Sequence, residues 1–193
     1  MNGVAAQSMR EKGLDYKINW GISQIELRRM ASQYDKNTEL AEALWRENIR
    51  ECKILATLLM PTETMTIEMA EEWARGIDSV ELAEITALNL FQYVNGAETV
   101  TGWLLQNENA NLRICGYNLL CRLVKCDKVT FSKKNKSVDI FHILLNVVGS
   151  DLKSSNRQLI HAAINCLDSI VVRGGEESQA IVRILKDAGF DAF

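Results

Sequence analysis

The side chains best suited to metal binding or nucleophilic catalysis in this chain are its five cysteines and two histidines. Cys121 and Cys126 are five residues apart and near His142, whereas a zinc site usually contains a Cys-x-x-Cys pair. Neither His142 nor His161 has a serine or cysteine at a spacing typical of a catalytic pair. Glycine-rich nucleotide-binding, P-loop and HExxH motifs are also missing from the sequence. The sequence therefore predicts no metal site and no cofactor.

Charged side chains are distributed unevenly along the chain, which is a second feature that could support ligand binding. Residues 1–109 carry 10 basic and 17 acidic side chains, whereas residues 110–193 carry 12 basic and 8 acidic ones. The segment 121–136 contains six basic residues against Asp127, namely Arg122, Lys125, Lys128, Lys133, Lys134 and Lys136. Such a cluster attracts a polyanion such as nucleic acid. The alternative interpretation is a solvated, lysine-rich loop.

The amino-acid composition narrows the fold class of the protein that carries these side chains. The 193 residues are 47% hydrophobic and 24% charged, which is typical of a globular chain and predicts a single domain over residues 1–193. One proline and 11 glycines provide too few turns for a β-sandwich or barrel. No apolar run reaches the roughly 18 residues that span a bilayer, and residues 1–13 lack the apolar core of a signal peptide. We therefore expect a cytoplasmic protein with reduced cysteines and no membrane partner.

Apolar residues recur at helical spacing along nearly the whole chain, which predicts an all-α fold. On this pattern Trp45 and Trp73 are expected in the core. The predicted helical segments are 22–34, 38–47, 49–60, 64–75, 80–91, 99–106, 110–125, 137–149, 157–173 and 177–188.

A polar turn followed by an amphipathic helix occurs three times, in residues 74–91, 107–126 and 153–172. The starts are roughly 30 to 45 residues apart, the range of two-helix HEAT-like units. This spacing predicts an α-solenoid of about five HEAT-like helical pairs, and the alternative is a globular helical domain.

Four blocks occur in a fixed order that is more informative than the periodicity. They read NWGISQIELRRMA (19–31), LAEALWRENIRECKILATLLM (40–60), EMAEEWARGIDSVELAEITALNLF (68–91) and NLRICGYNLLCRLV (111–124). In combination these blocks resemble the AlkD-type DNA alkylation repair proteins, a family of HEAT-like repeats, over roughly residues 15 to 173.

The resemblance implies a C-shaped fold whose concave face holds DNA. Active members are glycosylases for cationic N3- and N7-alkylated purines, and they use a carboxylate and two tryptophans against the deoxyribose of the lesion. The carboxylate stabilises the positive charge that develops on the sugar, and the indole faces add attraction. In this sequence Glu84 matches the catalytic aspartate, and Tyr16 and Arg113 match groups of the DNA-binding cleft.

The sequence departs from the family where the chemistry takes place. Val80 and Asn165 replace the two tryptophans, and Asp168 replaces a basic residue of the cleft. Glu84 is one methylene longer than aspartate, and a misplacement of ~1 Å can lower a rate about 10²-fold. We therefore predict a DNA-binding protein whose catalytic groups are largely substituted.

Two alternatives remain open from the sequence. The first is an active alkylpurine glycosylase, a hydrolase that uses Glu84. The second is a protein-binding HEAT scaffold, favoured by the acidic first half and Asp168. The predicted DNA-binding residues are Tyr16, Arg113, Lys125, Lys128, Lys133, Lys134 and Lys136, the predicted partner is double-stranded DNA, and we expect a monomer.

Overall fold

The computed structural model describes residues 2–11, 13–129, 131 and 138–190. Over these residues the chain folds into helices without strands, and the all-α prediction is confirmed. An isolated bridge joins Ile18 to Ile49. The helices are α1 (Gly3–Glu11), α2 (Gln24–Ala31), α3 (Thr38–Arg46), α4 (Arg50–Leu59), α5 (Ile67–Ala74), α6 (Val80–Asn89), α7 (Ala97–Leu105), α8 (Ala110–Lys125), α9 (Ile140–Asp151), α10 (Arg157–Arg173) and α11 (Glu176–Asp187), with a 3-10 helix at Phe91–Tyr93.

Short polar side chains start most of the helices. Ser23 and Glu26 form a capping box at α2, and Ser79 accepts a hydrogen bond from the Leu82 amide at the start of α6. At the other end of a helix, α8 stops in a Schellman arrangement in which Lys128 N donates to Leu123 O over 2.8 Å. Asp127 occupies the left-handed position of this motif with φ +52°.

The helices form two layers. Helices α2, α4, α6, α8 and α10 contact one another in that order, and we call them the even layer. Helices α5, α7 and α9 contact one another in the odd layer, and α3 joins it because the Trp45 and Trp73 rings stack with centroids 4.7 Å apart. Arg50 and Glu81 join the starts of α4 and α6, and Lys128 joins the end of α8 to the segment after α6, so these even helices run in the same direction, as in a solenoid of antiparallel pairs.

The main core lies between the two layers. Trp45 and Trp73 are 8% and 5% exposed, as predicted, and Cys115 and Cys166 are fully buried. Gly116 of α8 lies so close to α7 that an added Cβ would lie 3.0 Å from Leu104.

A second apolar cluster joins α2 to α4 and α6. Leu27, Ile54 and Ile85 form it. Helix α1 docks next to this cluster, where a Cβ on Gly21 would lie 2.3 Å from the Asn2 carbonyl oxygen. In the described part of the chain we find no helix long and apolar enough to cross a membrane.

Candidate nucleic-acid interface

Glu84, the predicted catalytic carboxylate, is exposed near the middle of α6. Partial desolvation raises the pKa of its carboxyl group above 4.5, Glu81 one turn earlier adds to the rise, and His161 on α10 opposes it. Glu84 and His161 are both exposed, and α6 and α10 both pack against α8, so the exposed sides of α6 and α10 border the same surface. We call this surface, with the intervening α8, the even face.

Around Glu84 the even face is polar rather than aromatic. Asn165 is exposed, and its Nδ2 lies 3.2 Å from Nδ1 of His161. Val80 is half-buried and packs against the main core. No Trp, Tyr or Phe occurs on α6 or α10. The four tryptophans lie elsewhere: Trp20 before α2, Trp45 on α3, Trp73 on α5 and Trp103 on α7.

A buried ionic network fixes the start of α6. The Arg50 guanidinium is 2% exposed and donates two parallel hydrogen bonds to Glu81, of 2.8 and 2.7 Å. It also donates to Glu51 over 3.1 Å and to the Ile22 carbonyl over 2.9 Å. Glu51, 1% exposed, in turn accepts the backbone amides of Trp20 and Ile22. The network joins α4, α6 and the segment before α2.

Tyr16 extends this network instead of offering its ring to a ligand. It is 8% exposed, and its hydroxyl lies 3.2 Å from Ser79 Oγ. Burial raises the pKa of Tyr16 to about 12. Because Ser79 caps α6, Tyr16 supports the helix that carries Glu84, and a contact of Tyr16 with DNA stays a prediction.

Arg113 lies in the first turn of α8 and is engaged by an acid. Its Nη2 lies 3.4 Å from Asp151, which is buried at the end of α9 and also accepts a 2.8 Å hydrogen bond from the Tyr117 hydroxyl. Burial raises the pKa of Asp151, while Tyr117 and Arg113 oppose the rise. A phosphate that contacts Arg113 must therefore compete with Asp151.

Lys125 and Lys128 are exposed at the end of α8. The Lys128 ammonium donates to the Gln92 carbonyl over 3.2 Å and lies 5.0 Å from the centroid of the Tyr93 ring. Lys125 lines a cavity of about 590 Å³ together with Asp127, Asp168 and Arg173. The remaining predicted lysines, Lys133, Lys134 and Lys136, lie outside the described residues.

The predicted residues do not converge on one site. Lys125 follows Arg113 on α8 by twelve positions, which is about 18 Å along the helix axis. Tyr93 and Arg173 near the lysines were not predicted, because these residues come from other helices. Among the described residues, no three histidine, cysteine or acidic side chains come together in a way that could hold a metal ion.

Comparison with solved structures identifies the fold of the chain. A solved structure superposes with a TM-score of 0.80 and 18% identity over 97% of this chain and 78% of the other. That protein is described as "a new family of proteins related to the HEAT-like repeat DNA glycosylases with affinity for branched DNA structures". At this identity the likeness establishes the fold, which agrees with the predicted HEAT-like solenoid.

Sequence comparison gives the family. A search of curated proteins found no significant match. The model of the family described as DNA alkylation repair enzyme, however, matches residues 3–167, which include all of α1 to α9 and most of α10. The resemblance seen in the four sequence blocks is thus confirmed, and the chain belongs to the DNA alkylation repair enzyme family.

Proposed function

We propose that this protein binds DNA and does not excise alkylated bases. The observation that carries the proposal is the surface around Glu84, where α6 and α10 provide a carboxylate but no Trp, Tyr or Phe. Departure of a cationic base leaves positive charge on the sugar, and aromatic faces contribute to its stabilisation. Glu84 alone would supply only the carboxylate part of that stabilisation.

The charge distribution supports binding over excision. Glu84 places negative charge on the exposed side of α6, whereas Lys125 and Lys128 are exposed at the end of α8, with Asp168 in the same cavity as Lys125. Phosphates are therefore drawn toward the end of α8 and away from the centre of the even face. The similar solved structure is described as having affinity for branched DNA, which makes branched DNA a substrate to test beside duplex.

A single-turnover assay tests the catalytic part. Duplex DNA with one N7-methylguanine is incubated with wild type, with Glu84→Gln, or without protein, and base release is measured. Glu39→Gln, an exposed glutamate on α3, is the matched control. We expect wild type to release the base no faster than spontaneous depurination. Release well above background that Glu84→Gln abolishes and Glu39→Gln retains would instead establish a glycosylase that uses Glu84.

Fluorescence anisotropy tests the binding part. Labelled duplex and a labelled four-way junction are titrated with wild type at several salt concentrations. We expect binding that weakens steeply with salt, because each phosphate contact releases counterions. A protein that binds neither DNA at low salt would refute the proposal and favour the protein-binding scaffold.

A further inference from the structure

The C-terminal ends of the even helices form a continuous edge of the molecule. Arg28 at the end of α2 donates to Asn89 at the end of α6 over 2.7 Å. Lys128, just after α8, donates to the Gln92 carbonyl that follows α6. Arg173 at the end of α10 donates over 2.8 Å to the carbonyl of Val129, which follows α8. These hydrogen bonds join the ends of four helices, and we call this strip the C-terminal edge.

The C-terminal edge carries more basic than acidic side chains. Its acids include Asp127, which is 88% exposed and 3.7 Å from Arg173, and Asp168, which lines a cavity with Lys125 and Arg173. The opposite edge is mixed, because Glu47, Asp78 and Glu108 lie before α4, α6 and α8, whereas Lys153 and Arg157 lie just before and at the start of α10. A polyanion is therefore attracted to the C-terminal edge by its excess of basic groups. The basic side chains of the C-terminal edge are Arg28, Arg29, Lys125, Lys128 and Arg173.

Tyr93 gives this edge a second kind of binding group. It ends the 3-10 helix Phe91–Tyr93, whose first residue is fully buried, yet its own side chain is 55% exposed. The Lys128 ammonium lies 5.0 Å from the ring centroid, and the Schellman turn after α8 fixes the backbone of Lys128. An exposed ring beside positive charge is the combination that binds a base and its phosphate in single-stranded nucleic acid.

We infer that the C-terminal edge is the DNA-binding surface, and that it favours DNA with an unpaired base over intact duplex. Lys125, Lys128 and Arg173 contact phosphates, and Tyr93 stacks on the base. Bases in a duplex already stack on their neighbours, so the ring gains little there. Lysines at the end of α8 also complement its dipole, but that role does not account for an exposed ring among them. The inference rests on the proposed DNA binding and adds its location and its preferred DNA structure.

Binding measurements with two DNAs test the role of Tyr93. Wild type, Tyr93→Ala and Tyr93→Phe are each titrated into two DNAs. One is a duplex, and the other is a junction built from the same strands with two unpaired thymines at its branch point. We expect Tyr93→Ala to weaken junction binding about tenfold and duplex binding less than about twofold, while Tyr93→Phe retains both. Equal loss on both DNAs, or no loss on either, would overturn the stacking role.

Charge reversal tests the location. Lys125→Glu with Lys128→Glu should lower the slope of log K against log salt by about 2 for both DNAs, since each phosphate contact contributes about 0.9. The matched control is Lys153→Glu with Lys186→Glu, two exposed lysines after α9 and near the end of α11. If both double variants weaken binding equally, DNA binds elsewhere and the inference fails, although the proposed DNA binding stands. If wild type binds neither DNA, the proposed function itself fails. Circular dichroism melting confirms that each variant is folded.

Discussion

Replacing Arg50 by methionine should destabilise the protein more than any exposed charge substitution. Methionine retains much of the apolar volume of the side chain but removes all four hydrogen bonds of the guanidinium. Two carboxylates then lose their cation. Glu51 is 1% exposed and cannot gain water, whereas Glu81 is 22% exposed on its side chain and can be partly hydrated.

The magnitude follows from this difference between the two acids. Removing one partner of a buried ion pair costs about 3–5 kcal/mol. Glu51 keeps the backbone amides of Trp20 and Ile22 as hydrogen-bond donors, and Glu81 can be hydrated. The loss of stability should therefore lie near the lower end of this range. We expect Arg50→Met to lower the free energy of unfolding by about 3 kcal/mol. For a chain of this length this lowers Tm by roughly 6–12 °C.

Urea denaturation followed by circular dichroism measures this loss. The control is Arg46→Met, because Arg46 forms an exposed pair with Glu42 and its side chain is 75% exposed. Such a pair contributes about 0.5 kcal/mol or less. A cost for Arg50→Met as small as that of the control would refute the argument that this network fixes α6.

Three further predictions concern single positions. Burial raises the pKa of Asp151 above 3.8. The ionised carboxylate therefore lowers the stability of the folded protein above the folded pKa, and this cost disappears below pH 3.8. Asp151→Asn should be at least as stable as wild type at pH 7 and lose any advantage near pH 4, as urea titrations at both pH values can show. Asp127→Gly removes a left-handed non-glycine residue at φ +52° and should raise stability by about 1 kcal/mol in the same assay. Gly21→Ala should undock α1, because its Cβ would lie 2.3 Å from backbone oxygen, and limited proteolysis should then cleave within residues 2–13.

The helices were predictable because their signals are local. Helices α2 to α11 each have an apolar stripe, and most have a polar cap, in a continuous stretch of sequence. Helix α1 was not predicted, since only Ala6 on it is buried and no stripe exists to detect. Its position depends on the close approach of Asn2 to Gly21, which is a contact between two segments rather than a pattern within one.

The site was less predictable because its properties depend on contacts between distant segments. Tyr16 was expected in the cleft, but its burial against Ser79 depends on the fold of residues far along the chain. Arg113 is partly neutralised by Asp151, which no spacing in the sequence indicated. The helix that carries Glu84 was predicted, and a catalytic role of Glu84 stays a prediction, whereas the influence of His161 on Glu84 depends on the packing of α6, α8 and α10.

Two glutamates on α6, Glu81 and Glu84, have different roles, one in the stability of the fold and one in the charge of the exposed surface. Glu81 points into the network of Arg50, where its charge is compensated by two short hydrogen bonds. Glu84, one turn later, has no such partner among the described residues, and partial burial raises the pKa of its carboxyl group. The charge of Glu84 repels phosphate from the centre of the even face, while Lys128 and Arg173 attract it to the C-terminal edge. A DNA backbone held at that edge lies away from Glu84, which is the physical reason to expect binding without base excision.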